Sequence, residues 1–352
     1  MIKYYITPKG YNEEQLIIKP PFKVLSEALN PKDELPDLPI LADNIIITHN
    51  IYTVTSIDHT SLTENWKISL PHKPFEHSLF PPVIFKGKVI FRDSTQKLAY
   101  IYDLNSGVLL KKIKDFTVDL YQLGDYLFGF DYADGKDYII KCNYEEDFEN
   151  IWKTSIGTDW STRVLLDSNR IVFNTRNGFN CHDWETGKFL WEFNKKGKHL
   201  LWNGQVIIPD GRFTTSLDIH TGAVQWQQQT TNLVEGTIYD DKLFLANATH
   251  YSVLDVKTGK IEIDMSFKHI YENLDEAIVH SNAYGLAITE DYAIFGLSSG
   301  YLFIIDKWTG KLIWHYQSQY ILNTTPLVDG NRIYVAGSSH NSANILVIEG
   351  SK

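Results

Sequence analysis

The feature that most constrains the fold is a phrase repeated in register along the chain. "FIIDKWTGKLIW" (303–314), "CHDWETGKFLW" (181–191) and "SLDIHTGAVQW" (216–226) each place a Trp eight residues after an Asp, with a Thr-Gly pair between them. The pairs are Asp306 and Trp314, Asp183 and Trp191, and Asp218 and Trp226. With the Asp as marker, the series reads Asp58, Asp103, an irregular unit near Asn143, Asp183, Asp218, Asp255 and Asp306. The position of the Trp holds Trp66, Lys111, Trp152 after one extra residue, Trp191, Trp226, Ile263 and Trp314. Gly187, Gly222, Gly259 and Gly310 close the Thr-Gly pairs. A period of about 35 to 50 residues implies a solenoid, a propeller or an array.

Two short strand-like runs precede each marker, as in "DYAIFGLSSGYLFIID" from Asp291, and a further apolar stretch precedes those. With the Trp-bearing run, each unit has four strands, the pattern of a β-propeller blade. The tail from Thr324 supplies three strands of another unit and stops where its Trp strand would begin. An orphan edge invites aggregation, so an N-terminal strand, "IKYYI" (2–6) or "QLIIK" (15–19), is expected to complete it. The reading is an all-β propeller of four-stranded antiparallel blades, eight in number with seven as the alternative. Residues 1–352 form one domain, with an N-terminal extension and closing strand in 1–35 and an inserted loop at 266–285.

The D-x-x-T-G-K-x-x-W phrase closely resembles the repeat of PQQ-type β-propellers, a family that includes quinoprotein dehydrogenases and non-enzymatic outer-membrane assembly scaffolds. The resemblance implies the fold and is nearly silent on function, because one fold hosts many. Physically, the Gly supplies a positive φ in a tight turn and the Asp side chain accepts hydrogen bonds from turn amides. The Trp falls on the outer strand, where its ring packs between blades and its indole N–H finds a neighbouring acceptor. The recurring carboxylates therefore read as turn clasps. They point to different blades, whereas general acid–base chemistry needs converging groups.

A quinoprotein dehydrogenase would, by that resemblance, need a periplasmic signal, an adjacent Cys pair, calcium ligands and a catalytic Asp. The chain has only Cys142 and Cys181, which read as buried free thiols on strands of successive units. No glycine-rich phosphate loop, zinc motif or nucleophile elbow is present, and the twelve His have no ligand spacing. The expectation is a non-enzyme without cofactor or metal. A net charge of −10 with scattered Lys and Arg argues against nucleic acid. The N-terminal residues have no apolar signal core and no later stretch reaches membrane-spanning length, which suggests a cytoplasmic protein without membrane contact.

In a four-stranded antiparallel blade, loops after the first and third strands share one face, and loops after the second and fourth share the other. The Thr-Gly turns fall on one face. "LPHKPFEHSLFPP" from Leu70, "FDYADGKDY" from Phe130 and the 266–285 insertion fall on the opposite one. The insertion widens the marker spacing from 37 (218 to 255) to 51 (255 to 306), and "YENLDEAIVH" within it has the spacing of a short helix. His72, Phe75, His77, Trp160, Tyr271, Glu272, Asp275 and His280 are the candidate protein-binding residues, aromatics serving as anchors and charges as steering groups. The excess of acid suggests a basic partner, either a bacterial toxin neutralised by this chain as an immunity protein or an assembly component, with the chain itself monomeric. The alternatives are a quinoprotein-like enzyme or small-ligand sensor using the central channel, and an assembly scaffold.

Overall fold

A computed structural model describes residues 18–26, 40–42, 44–49, 53–69, 82–93, 96–123, 126–145, 147–157, 160–167, 169–175, 177–230, 235–267, 270, 281–322, 324–338 and 343–351. Among these residues the regular elements are β-strands, apart from the single helical residue Ile270. The strands form eight antiparallel sheets, seven of them four-stranded meanders in chain order. The chain divides into two compact units, one over 40–196 and one over 18–26 with 197–351.

The first unit holds sheets over 40–69, 83–114, 119–157 and 160–193, and the second holds sheets over 200–229, 235–266 and 283–317. The eighth sheet is made from residues 321–351 and is completed by Lys19–Ser26, which pairs antiparallel with Ala343–Ser351 as its outermost strand. The fold class is therefore the eight-bladed β-propeller, and the seven-bladed alternative is excluded by this last sheet.

Burial follows strand position. Tyr292–Leu297 and Tyr301–Asp306, the middle strands of the seventh sheet, are interior along almost their whole length, whereas the outer Leu312–Gln317 is half-buried. Continuous apolar runs of this kind are what a strand covered on both faces requires. On the outer strands only one face meets a neighbour, and "LLKKIK" (Leu109–Lys114) is mostly exposed.

Two expectations need correction. The closing strand is neither 2–6, which lies outside the described residues, nor centred on 15–19. It is "KPPFKVLS", whose paired prolines argue against a strand in sequence. As the outermost strand it leaves one edge unpaired, the position at which a missing backbone N–H costs no ladder bond. Nor is "FDYADGKDY" a long loop. Tyr126–Ala133 and Lys136–Asn143 are eight-residue strands joined by Asp134 and Gly135 alone, at φ 53° and 73°. Asp-Gly with two positive φ values is the tight hairpin turn that suits the twist of its strands.

Candidate functional site

The repeated phrase builds a clasp and a latch. In the clasp, the marker carboxylate accepts hydrogen bonds from the turn. Asp218 Oδ1 takes His220 N at 3.0 Å, Thr221 N at 2.8 Å and the Thr221 hydroxyl at 2.8 Å. Asp58, Asp103, Asp183, Asp255 and Asp306 repeat the pattern on Ser61, Ser106, Thr186, Thr258 and Thr309. The Thr186 and Thr258 hydroxyl bonds hold Asp183 and Asp255 below the usual carboxylate range. Burial pushes Asp218 and Asp306 up, yet the bonds from Thr221 and Thr309 outweigh it and both also lie low.

In the latch, the Trp of one sheet reaches the turn of the next. Indole N–H groups of Trp66, Trp152 and Trp226 donate to the carbonyls of Leu104, Trp184 and Val256 at 3.0, 2.8 and 3.1 Å. Each acceptor is the residue directly after a marker Asp. The glycine of that turn lies under the ring: a Cβ on Gly259 would stand 2.4 Å from Trp226, and on Gly187 2.7 Å from Trp152. The eight-residue spacing now has a geometric account. Trp226 pairs with Ser216, two residues before the marker, and a register shift between Ser216 and Leu217 takes up the extra residue of the turn. Trp314, beside the eighth sheet, packs on Phe22 of the closing strand at 5.8 Å between ring centroids.

Of the junctions inside the two units, two lack the Trp. Between the sixth and seventh sheets, where Ile263 stands, the Tyr251 hydroxyl donates to the Lys307 carbonyl at 2.9 Å, so the acceptor keeps a donor from a different strand. Between the second and third sheets the arrangement changes altogether. Lys111 forms an ion pair with Asp147, and Lys86 pairs with Glu145 at 2.8 Å. The facing turn has no glycine, and Asp147 and Phe148 adopt φ 55° and 64° themselves.

This irregular junction holds two cavities. One, of about 410 Å³, runs along Ile113–Val118 and Phe148–Asn150. The other, of about 260 Å³, is lined by Arg92, Lys97, Thr117, Asp119, Phe130, Asp131 and Tyr132. These residues come from the ends of second strands and from the connection into the third sheet, so they share the face opposite the Thr-Gly turns of this unit. Arg92 forms an ion pair with Asp119, and Lys153 Nζ stands 2.7 Å from Asp131 Oδ2. Burial pushes the Asp131 carboxyl up, but Lys153 and the nearby Thr117 hydroxyl hold it below the usual range, so it is ionised. The backbone N–H of Tyr132 also bonds this buried carboxylate. Tyr132, at the rim, is 67% exposed.

The candidate protein-binding residues are not brought together by the described structure. His72, Phe75, His77, Tyr271, Glu272, Asp275 and His280 lie outside the described residues, as does the helix expected over 271–280. Trp160 opens the first strand of the fourth sheet, and its side chain is likewise outside them. The insertion is described at its entry, where Phe267 is fully buried and stacked on Phe295 at 5.2 Å and Ile270 joins the same core. Sequence reading missed the Asp131 cavity, because its signal was split between an apparent loop and an irregular repeat.

Cys142 and Cys181 are buried free thiols, both pushed up to about 12 chiefly by burial. They stand on strands of different sheets, so they do not supply the adjacent pair that a quinone-binding site of this type would use. Among the described residues no three His, Cys, Asp or Glu side chains are grouped to hold a metal ion, and no helix is long and apolar enough to cross a membrane.

The clasps, latches and eight sheets define a PQQ-type repeat propeller. The family profile described as "Outer membrane protein assembly factor BamB" matches residues 137–351, and the chain belongs to that family. No curated relative matches it in sequence. Among solved structures, BamB from Moraxella catarrhalis is similar with a TM-score of 0.63 at 11% identity, covering 91% of this chain and 100% of that one. The C-terminal WD40 domain of Sif2 gives 0.69 at 11%, covering 96% and 100%. A quinohemoprotein alcohol dehydrogenase from Pseudomonas putida HK5 gives 0.68 at 10%, covering 97% and 79%. At such identities the likeness is one of fold, shared by an assembly factor and an oxidoreductase alike.

Proposed function

We propose that this chain is a non-enzymatic propeller that binds a protein partner through the connections opposite its Thr-Gly turns. The observation that carries this reading is the junction of the second and third sheets. There the repeat gives up its Trp latch, two cavities open, and an exposed aromatic stands beside buried charge. Departures from local regularity concentrate at functional places. The charges at the cavity pair with one another, Arg92 with Asp119 and Lys153 with Asp131, rather than forming a nucleophile and its base. Membership in the BamB family supports a scaffold or binding role.

The net charge of −10 favours a basic partner. A narrower form of the reading is a cytoplasmic immunity protein that binds a bacterial toxin, monomeric until it does so. The test is affinity capture from the native organism with the intact chain and with residues 268–284 replaced by a Gly-Ser linker. A partner held by the intact chain and lost by the folded variant supports binding through this parity of connections. If neither bait captures a protein while PQQ with calcium raises the melting temperature, the quinoprotein alternative replaces it.

A further inference from the structure

We propose that the outer strand Val224–Gln229 of the fifth sheet is an edge on which a second copy of this chain pairs, strand to identical strand about a two-fold axis. The inference goes beyond the binding reading above and does not depend on it. It concerns the outer edge of a sheet rather than the connections.

An outer strand has a ladder on one side only, so every second residue turns its N–H and C=O to an edge without a partner strand. Such an edge is a template for another chain, and proteins blunt it with charge or proline. The blunting is visible on the other sheets. Glu64–Ser69 and Glu149–Gly157 each carry an acid and a lysine, and Leu109–Lys114 carries three lysines. Phe189–Phe193 has one Glu, Ile261–Ser266 has two acids, and the closing strand Lys19–Ser26 has two lysines and two prolines. "VQWQQQ" (Val224–Gln229) has neither charge nor proline, and four of its six residues are exposed. Leu312–Gln317 also lacks a fixed charge, but it is mainly half-buried and carries the titratable His315 in its middle.

The strand is held straight for pairing. Its ladder with Phe213–Asp218 runs without a break from Gln229 to Trp226, and the register shift is confined to the turn end between Ser216 and Leu217. Trp226 anchors the strand from its other face, bonded to Val256 at 3.1 Å, and the Gln227 amide donates to the Thr215 hydroxyl at 3.0 Å.

Symmetry selects the occupant. An antiparallel pair about a two-fold axis sets each residue opposite one of the same parity, and such a contact closes at two copies. Centred on Gln227, it places Gln225 against Gln229 and Trp226 against Gln228. A run of lysines or a pair of acids would meet like charge under this operation. Here amide meets amide, and each amide is donor and acceptor at once. Two six-residue strands meeting along one edge bury well under the roughly 1,200 Å² of a stable complex, so the dissociation constant is expected near 0.1 mM, on the order of a weak encounter. The dilute chain therefore stays monomeric. Each copy carries a net charge of −10 while the contact carries none, so added salt screens the repulsion and tightens the pair.

The experiment is sedimentation of the full chain at concentrations on either side of about 0.1 mM, in low and in high salt. A monomer–dimer equilibrium is expected, stronger in high salt by about threefold or more. Gln225→Lys with Gln229→Lys is expected to weaken it at least about tenfold, and Gln225→Glu with Gln229→Glu to do the same. Both pairs lie at exposed positions, and the melting temperature checks their folding; should a double variant unfold, Gln225→Lys alone and Gln225→Glu alone carry the test. Mixing the Lys variant with the Glu variant is expected to restore a dimer, because opposite charges then face across the edge. Gln317→Lys, on the other strand without fixed charge, is expected to leave the dimer unchanged. A chain that stays monomeric at every concentration overturns the proposal, as does growth beyond the dimer. So does a dimer that survives the Lys variant, that is not restored in the mixture, or that Gln317→Lys dissolves instead.

Discussion

The junction between the fifth and sixth sheets and the junction between the second and third solve one packing problem in opposite ways. At the former, Trp226 covers the turn at Gly259, its indole bonded to Val256 and its ring filling the space that a side chain at 259 would take. At the latter, Lys111 and Asp147 meet as an ion pair whose side chains are 50% and 56% exposed. An exposed pair contributes about 0–1 kcal/mol, while a packed aromatic contributes several times that. At the second–third junction both halves change, the Trp and the facing glycine being absent together, whereas the sixth–seventh junction keeps Gly310 although Ile263 stands in place of the Trp. What the irregular junction loses in packing it gains in open volume, and both described cavities lie there.

Acid should break the comparison most visibly. Six marker carboxylates have folded pKa values below the ordinary one. A lowered folded value means that their contribution is fully present above the unfolded pKa, about 4, and is lost as pH falls further. The third sheet has Asn143 in place of the Asp, with its amide oxygen accepting Glu145 N at 3.2 Å, so that turn has no marker carboxylate to protonate. Hydrogen exchange below pH 4 is expected to show protection failing at the Asp-clasped turns more than at 143–148, where acid removes only the exposed Lys86–Glu145 and Lys111–Asp147 pairs, which contribute little.

Next in size is Trp226→Ala. Because the ring is only half-buried, the loss is expected near the lower end of the usual range, about 3 kcal/mol by urea denaturation. The equivalent exchange at the irregular junction, Lys111→Trp, is expected to bring no gain, since Asp147 and Phe148 leave no glycine for the ring to cover. Tyr251→Phe removes the substitute donor to Lys307 and leaves a buried carbonyl unpaired, with an expected loss of about 1–3 kcal/mol in the same assay. The smallest effect is that of Asp147→Ala, under about 1 kcal/mol and fading in high salt. A loss as large as that of Trp226→Ala would show the two junctions to be equivalent after all.

The clasp was legible because it is local. Asp, Thr and Gly within five residues specify a turn whatever surrounds them, and each of the six carboxylates makes the bonds expected of it. The latch was legible in part: the Trp spacing showed an outer strand, but its acceptor lies about 30 to 38 residues away and could be named only from the pairing of sheets. Candidate site residues were chosen by loop length, and length misled at "FDYADGKDY". Its Asp-Gly pair is a hairpin signal, and extended strands account for the rest. The same segment carries Asp131 and Tyr132, so the misread loop concealed the cavity.

The repeat determined by itself that the chain forms four-stranded blades, because the phrase encodes strand, turn and outer strand within one short window. It also showed that the last blade lacks a strand. Which segment completes that blade was decided by the tertiary structure. Lys19–Ser26 has no strand-like pattern of its own, and it is an edge strand only because Ala343–Ser351 offers it a ladder. The Asp131 cavity is likewise tertiary. Its charges come from two sheets, and the pairing of Arg92 with Asp119 across them is a property of packing that no single stretch of sequence can display.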